Sequence, residues 1–131
     1  MRRRIAIFAL GLSTILFLAG SREALAQGDK LRNTTPEERA QSQTDFMKSK
    51  LALTPDQATK VSDINLKYAK RMDPVIKSSE APLVRMRQAR AISAEKDAEL
   101  KGILTGDQWQ KLQASREEMR QKFEEGKALQ K

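Results

Sequence analysis

The sequence predicts an all-α protein built from four helices, and three observations predict it. β-Branched residues are few and no run alternates apolar with polar, so no strand is expected. Apolar residues recur instead at three- and four-residue spacing, the period of a helix with one buried face. Four stretches open on helix-start chemistry: Thr35-Pro36-Glu37-Glu38, Thr54-Pro55-Asp56-Gln57, Pro82, and Thr105-Gly106-Asp107-Gln108.

Ahead of these helices, residues 1–26 have the three-part layout of a secretory signal peptide. Met1-Arg2-Arg3-Arg4 is basic, Ile5 to Ala19 is apolar, and Ala24-Leu25-Ala26 is a small-x-small cleavage pattern. The apolar run is fifteen residues, short of the ~20 that a spanning helix needs. Cleavage is expected after Ala26, with a site after Ser21 as the alternative, which makes the protein periplasmic with no stable membrane insertion after cleavage. The three arginines fit a twin-arginine signal poorly. Gln27 to Thr35 is polar and without period, and is read as a disordered start.

The first helix is expected over 36–50. Thr35 caps it, Pro36 takes the first position and Glu38 closes a capping box, with Phe46, Met47 and Leu51 on its apolar face. The second runs 55–79 under the Thr54 cap, with Val61, Ile64, Tyr68, Met72, Val75 and Ile76 in its stripe. Pro74 either kinks it or lets Asp73 cap a new start; the stripe keeps phase, which favours one kinked helix. The third runs 82–103 from Pro82, with Leu83, Met86, Ala89, Ile92, Leu100 and Ile103 as apolar positions. Its Arg85, Arg87 and Arg90 precede Glu95, Asp97 and Glu99, an order that opposes the helix dipole. The fourth opens under Thr105 with Trp109, Leu112, Met119 and Phe123 in its stripe and Arg116 interrupting it. Trp109 and Phe123 are assigned to the core. Gly126 is expected to end the helix, leaving 126–131 as a disordered tail behind a helical domain of 36–125.

The totals narrow the chemistry. The 131 residues include 25 Lys+Arg, 17 Asp+Glu, no His and no Cys, a formal charge of +8. Without His or Cys there is no imidazole- or thiol-based nucleophile, no disulfide and no preferred zinc or copper ligand. No glycine loop suited to phosphates occurs, and no carboxylate stands out as a shifted acid or base. No catalytic residue, cofactor or metal is therefore assigned, and the chain is not expected to be an enzyme. The +8 first suggests nucleic acid. Removing Arg2, Arg3, Arg4, Arg22 and Glu23 with residues 1–26 leaves 21 basic and 16 acidic residues, +5, and export takes nucleic acid away as a partner. The remaining 105 residues are one third apolar, below the roughly 45–50% usual for globular domains. So thin a core is expected to be shared with a second copy.

Two pentapeptides repeat: Leu53-Thr54-Pro55-Asp56-Gln57 and Leu104-Thr105-Gly106-Asp107-Gln108. Each alone is a generic helix start; two copies 51 residues apart in an exported chain are more specific. With them the chain resembles the Spy/CpxP family of periplasmic proteins, marked by two LTxxQ motifs, here Leu53, Thr54, Gln57 and Leu104, Thr105, Gln108. The resemblance covers about 36–125 and includes the lead-in Glu99 to Leu104. It implies an elongated hooked hairpin of four helices pairing as a cradle-shaped homodimer with a basic concave face. It also implies an ATP-independent chaperone for unfolded envelope proteins, or an envelope-stress regulator docking on the periplasmic domain of a sensor histidine kinase. The gap between motifs is shorter than in the best-known members, and the missing His separates the chain from metal-responsive relatives.

A holder of unfolded chains that uses no ATP needs scattered apolar contacts beside mobile charge. Flexible Met and the aliphatic stems of Lys and Arg suit this. Candidate client-binding residues are therefore Lys67, Lys70, Arg71 and Met72 on the second helix and Arg85, Met86, Arg87 and Arg90 on the third. Periodicity alone leaves core open for Tyr68, Met72, Leu83 and Met86, and an ordinary solvated face open for Lys67, Lys70 and Arg71.

Overall fold

The computed structural model describes residues 31–129. The expected signal peptide and residues 27–30 lie outside the described residues. After a helical stretch at 31–33, four complete helices follow: α1 Pro36–Leu51, α2 Pro55–Lys77, α3 Pro82–Ile103 and α4 Gly106–Ala128. The protein is all-α, with no strand among the described residues.

Cap chemistry sets three of the four starts. Thr35, Thr54 and Thr105 each accept a hydrogen bond from the backbone amide three residues on, at 3.1, 3.2 and 3.2 Å. In return the backbone amide of each capping residue donates to the side-chain oxygen of Glu38, Gln57 or Gln108, completing a capping box. α3 starts differently: Ala81 offers no side-chain cap, and Pro82 at the first position does the work through its fixed φ. α2 passes Pro74 and ends at Lys77, two residues short of the expected 79, because Ser78 is extended. Asp73 does not cap a new helix.

α2 is the central helix, packed against both α1 and α3, while α4 lies along α1. Cross-helix pairs fix the directions as antiparallel: Arg39 meets Asp73 and Thr44 meets Asn65 between α1 and α2, and Lys67 meets Glu99 and Arg71 meets Glu95 between α2 and α3. The core gathers Met47, Leu51, Val61, Ile64, Tyr68, Leu100, Leu104 and Leu112, with Trp109, Phe46 and Ile103 packed on its edge. Burying each such side chain contributes roughly 1.5–3 kcal/mol. Val61 and Leu100 are fully enclosed.

Polar groups hold the register of α1 on α2. Asn65, also fully enclosed, donates to Thr44 Oγ1 at 2.9 Å, and Thr44 donates to the Ala40 carbonyl at 2.8 Å. Arg39 is nearly buried and spans three partners: Asp73 at 2.7 Å, the Thr34 carbonyl at 2.6 Å and the Leu31 carbonyl at 3.2 Å.

Several expectations are corrected. Residues 31–35, expected to be disordered, include a helical stretch at 31–33, and Arg39 donates to the Leu31 and Thr34 carbonyls. Phe123 is not core: it is 56% exposed, and Met119 is 52% exposed. Their spacing is helical, but every residue from Glu117 to Glu125 is exposed, with no described helix against that stretch. Leu83 and Met86 are exposed as well, at 53% and 42%. Gly126 does not end α4, which continues to Ala128.

Truncating Leu100→Ala should therefore cost about 2–5 kcal/mol. Phe123→Ala should change stability by less than about 0.5 kcal/mol. Urea unfolding followed by circular dichroism distinguishes them; equal costs would contradict the placement of α4.

Candidate functional site

The two LTxxQ motifs meet. Gln57 Nε2 donates to Gln108 Oε1 at 2.8 Å, and Gln108 Nε2 donates to Gln57 Oε1 at 3.0 Å. Each Oε1 also accepts from its own cap, Thr54 N at 3.1 Å and Thr105 N at 3.0 Å. Each Nε2 also donates to a carbonyl at the end of another helix, Ile103 for Gln57 and Leu51 for Gln108, both at 3.2 Å. Two donors and two acceptor positions on each amide are thus occupied. The motif leucines pack beside this junction, Leu104 buried and Leu53 half-buried against the core. The motifs are a structural clamp.

The candidate client-binding residues on α2 are occupied within the molecule. Lys67 pairs with Glu99 at 2.5 Å, Arg71 grips Glu95 with both arms at 2.5 and 3.1 Å, and Lys70 reaches Glu37 at 3.4 Å. Between them Tyr68 donates its hydroxyl to Glu99 at 2.7 Å, with the Lys67 and Arg71 cations 5.0 and 5.2 Å from its ring centre. Hydrogen bonds from Lys67 and then Tyr68 hold the Glu99 carboxyl below its ordinary range, and the Arg71 hydrogen bond does the same for Glu95. These two carboxylates add stability that is present above their unfolded pKa and lost on acidification through the lowered one. Met72 is half-buried along an inner groove.

The candidates on α3 remain open. Among the described residues no carboxylate lies within 4.0 Å of the guanidinium of Arg85, Arg87 or Arg90. At 100° per residue Leu83, Met86, Arg87 and Arg90 share one face. Arg85 falls on the opposite side, with its Nε enclosed and unpaired. Val84 is exposed beside that face. The eight candidates thus separate: three α2 cations are spent on ion pairs, Met72 and Arg85 turn inward, and Met86, Arg87 and Arg90 form an exposed mixed face.

A trough runs between α1 and α3. Its larger compartment, about 600 Å³, is walled by Phe46, Met47, Leu100, Leu112 and Met119 together with Ser42, Gln43, Ser93, Lys96, Asp97 and Arg116. A smaller one, about 190 Å³, continues over α2 past Tyr68, Met72 and Ile76 to Leu31. Lys96 lies between the two and donates to Gln43 Oε1 at 2.5 Å across the opening. Burial, with Arg116 adding repulsion, brings its pKa down to about 8. Arg116 itself forks onto Asp97 with two bonds of 2.9 Å and lies 5.9 Å from the Trp109 ring centre, which accounts for a charge inside the α4 stripe.

Residue-by-residue reading missed Lys96, Gln43, Asn65 and Arg39. A signal existed for two of them. Lys96 falls four residues from both Ile92 and Leu100, and Asn65 falls four from Val61 and three from Tyr68, so each is polar in phase with a buried stripe. Among the described residues no group of three or more Asp, Glu, His or Cys is placed to hold a metal, and no helix is long and apolar enough to cross a membrane.

These features define an all-helical domain clamped at paired LTxxQ-type helix starts. The family described as a domain of unknown function, DUF4890, matches residues 26–112, well over half of the chain, and the protein belongs to that family. No curated protein and no solved structure matches the chain.

If the clamp is cooperative, Gln57→Ala and Gln108→Ala should each destabilise by about 1–3 kcal/mol. The double variant should cost less than the two together, by about 0.5–3 kcal/mol; strictly additive costs in a denaturation cycle would refute the pairing. For Lys96 the sign follows from the unfolded lysine titrating near 10.5 and the folded one near 8. Between these values the unfolded chain binds more protons, so stability contributed at this site rises with pH across that window, and the full cost stands below pH 8. Lys96→Met should raise stability at pH 7 by about 1–3 kcal/mol, and the advantage should vanish near pH 10.5. A thermal-melt series in which the difference is independent of pH would contradict it.

Proposed function

We propose that this protein is an exported, ATP-independent holder of unfolded polypeptide, of the Spy/CpxP kind that its two LTxxQ motifs resemble. The observation that carries the reading is the exposed face of α3. There Leu83 and Met86 stand beside Arg87 and Arg90, none of it covered by another described helix, while the α2 cations are consumed in ion pairs. Scattered apolar contacts among mobile cations attract a collapsed, partly charged chain over a distance and hold it weakly, which lets it leave without an energy source. The four helices then form the hooked hairpin of that family. Two copies pair as a cradle, which would cover apolar groups such as Phe123 that one copy leaves exposed. The signal-peptide reading supports periplasmic placement, and the family match begins at residue 26, where processing is expected.

The test is suppression of aggregation of a chemically unfolded client at several-fold excess of this protein, in low salt and without ATP. Wild type should suppress, and added salt should slow capture. The triple variant Leu83→Ser/Arg87→Gln/Arg90→Gln should retain its helical spectrum and capture clients on the order of tenfold more slowly. No suppression by wild type in low salt, or full activity of the folded triple variant, would overturn the reading.

A further inference from the structure

Client holding on α3 makes no use of the trough between α1 and α3. We propose that this trough is a binding site for a single-chain amphiphile with an anionic head, a long-chain carboxylate, whose head pairs with Lys96 and whose alkyl chain lies over Phe46, Met47, Leu100, Leu112 and Met119.

Size and lining come first. The larger compartment, about 600 Å³, falls within the ~300–1,000 Å³ of small-molecule sites, and its mixture of apolar walls with a few convergent polar groups is the usual one. Charge complementarity comes second. Lys96 is a partly buried cation on the apolar stripe of α3, and among the described residues it has no carboxylate within 4.0 Å. An ammonium has three donors, and here one neutral oxygen, Gln43 Oε1, takes one of them. The adjacent Asp97 is not available, because Arg116 holds both of its oxygens. A buried cation kept without a counter-ion disfavours the empty state and favours an anion arriving with its own apolar cover.

The walls select an alkyl chain over a peptide. All three are helices, whose backbone amides and carbonyls are spent within the helix. An extended peptide in the compartment would bury its own amides with only a few side chains to meet them; an alkyl chain has none to satisfy.

The groups facing Lys96 fix the pH response. They are Gln43 and Arg39 from α1, Tyr68 from α2, Arg116 from α4, and Asp97 beside it on α3. Arg39 and Arg116 are engaged with Asp73 and Asp97, and the Glu99 hydrogen bond raises the Tyr68 hydroxyl above 10.0. Lys96 is the cation left to meet the head, so affinity should decline as pH rises above neutrality.

Calorimetric titration with decanoate, kept below its micelle concentration, and with decanol tests this. At pH 7 decanoate should bind one per chain and at least tenfold more tightly than decanol. Lys96→Met should abolish that preference while still binding decanol, and raising the pH to 10 should abolish it in wild type. Near-ultraviolet circular dichroism of Trp109 confirms that the variant is folded. Lysophosphatidylglycerol distinguishes a free fatty acid from a lipid source and should bind more weakly than decanoate. Equal affinities for decanoate and decanol, a preference that survives in folded Lys96→Met, or tighter binding of the lysolipid would overturn the proposal. The chaperone reading is untouched by any of these outcomes, because the α3 face lies outside the trough.

Discussion

The reciprocal amide pair of Gln57 and Gln108 is the constraint on which the rest of the structure depends. Four helix termini converge there: the ends of α1 and α3 and the starts of α2 and α4. Helix termini carry backbone groups with no partner inside the helix, and a junction of four concentrates them where the core must also form. The two glutamines satisfy the cap amides of Thr54 and Thr105 and the terminal carbonyls of Leu51 and Ile103 while bonding to each other. Because they are neutral, the clamp does not depend on pH or salt. With this point fixed, Leu51, Val61, Leu100, Leu104 and Leu112 need only fill a small space around it. A chain so poor in apolar residues can therefore hold a defined core.

Away from the junction, charge replaces burial. α2 and α3 are joined by Lys67–Glu99, Arg71–Glu95 and the Tyr68 hydroxyl. Exposed pairs of this type are each worth little in water, but they are antiparallel, adjacent and share an aromatic ring. They specify which face of α3 meets α2 more than they strengthen it. The pairing also explains the inverted charge order of α3. Glu95, Asp97 and Glu99 stand at the wrong end of the helix dipole, and each is compensated by a cation from another helix, Arg71, Arg116 and Lys67 respectively.

The helices were legible in the sequence because their ends are written in local chemistry. Thr-x-x-Glu and Thr-x-x-Gln state a start within four residues, and Pro82 does so within one. The clamp between the motifs was not legible: each glutamine is fully explained by its own cap, and nothing in one motif reveals a second bonding partner 51 residues away. The apolar stripes were read correctly as helical and wrongly as buried at Phe123. Period reports that residues share a face, and whether another helix lies against that face is a tertiary fact. The same limit divided the candidate site. Lys67, Arg71, Arg87 and Arg90 look alike in a sequence, and only the position of Glu95 and Glu99 on the neighbouring helix separates the paired cations from the open ones. Lys96 was recoverable in principle, since a lysine in phase with Ile92 and Leu100 contradicts the stripe it occupies.

The enclosed core and the proposed binding surfaces consequently fall on different helices. α2 carries the largest share of the enclosed residues, Val61, Ile64, Asn65, Tyr68 and Ala69, whereas Leu100 alone is buried on α3. α3 holds several features that cost free energy: an uncapped start, like charges in its first half, the enclosed Arg85 Nε and Lys96, a partly buried cation with a neutral partner and no carboxylate. Groups that a fold keeps at a cost are the ones free to lower their energy on binding. A helix anchored at its C-terminal end by the clamp, and along its second half by ion pairs to α2, can carry such groups without unfolding. The arrangement places two chemically distinct surfaces on one rod, a mixed basic–apolar face at its start and a cation-bearing trough at its middle. Both exist because α3 is held by its neighbours and not by a core of its own.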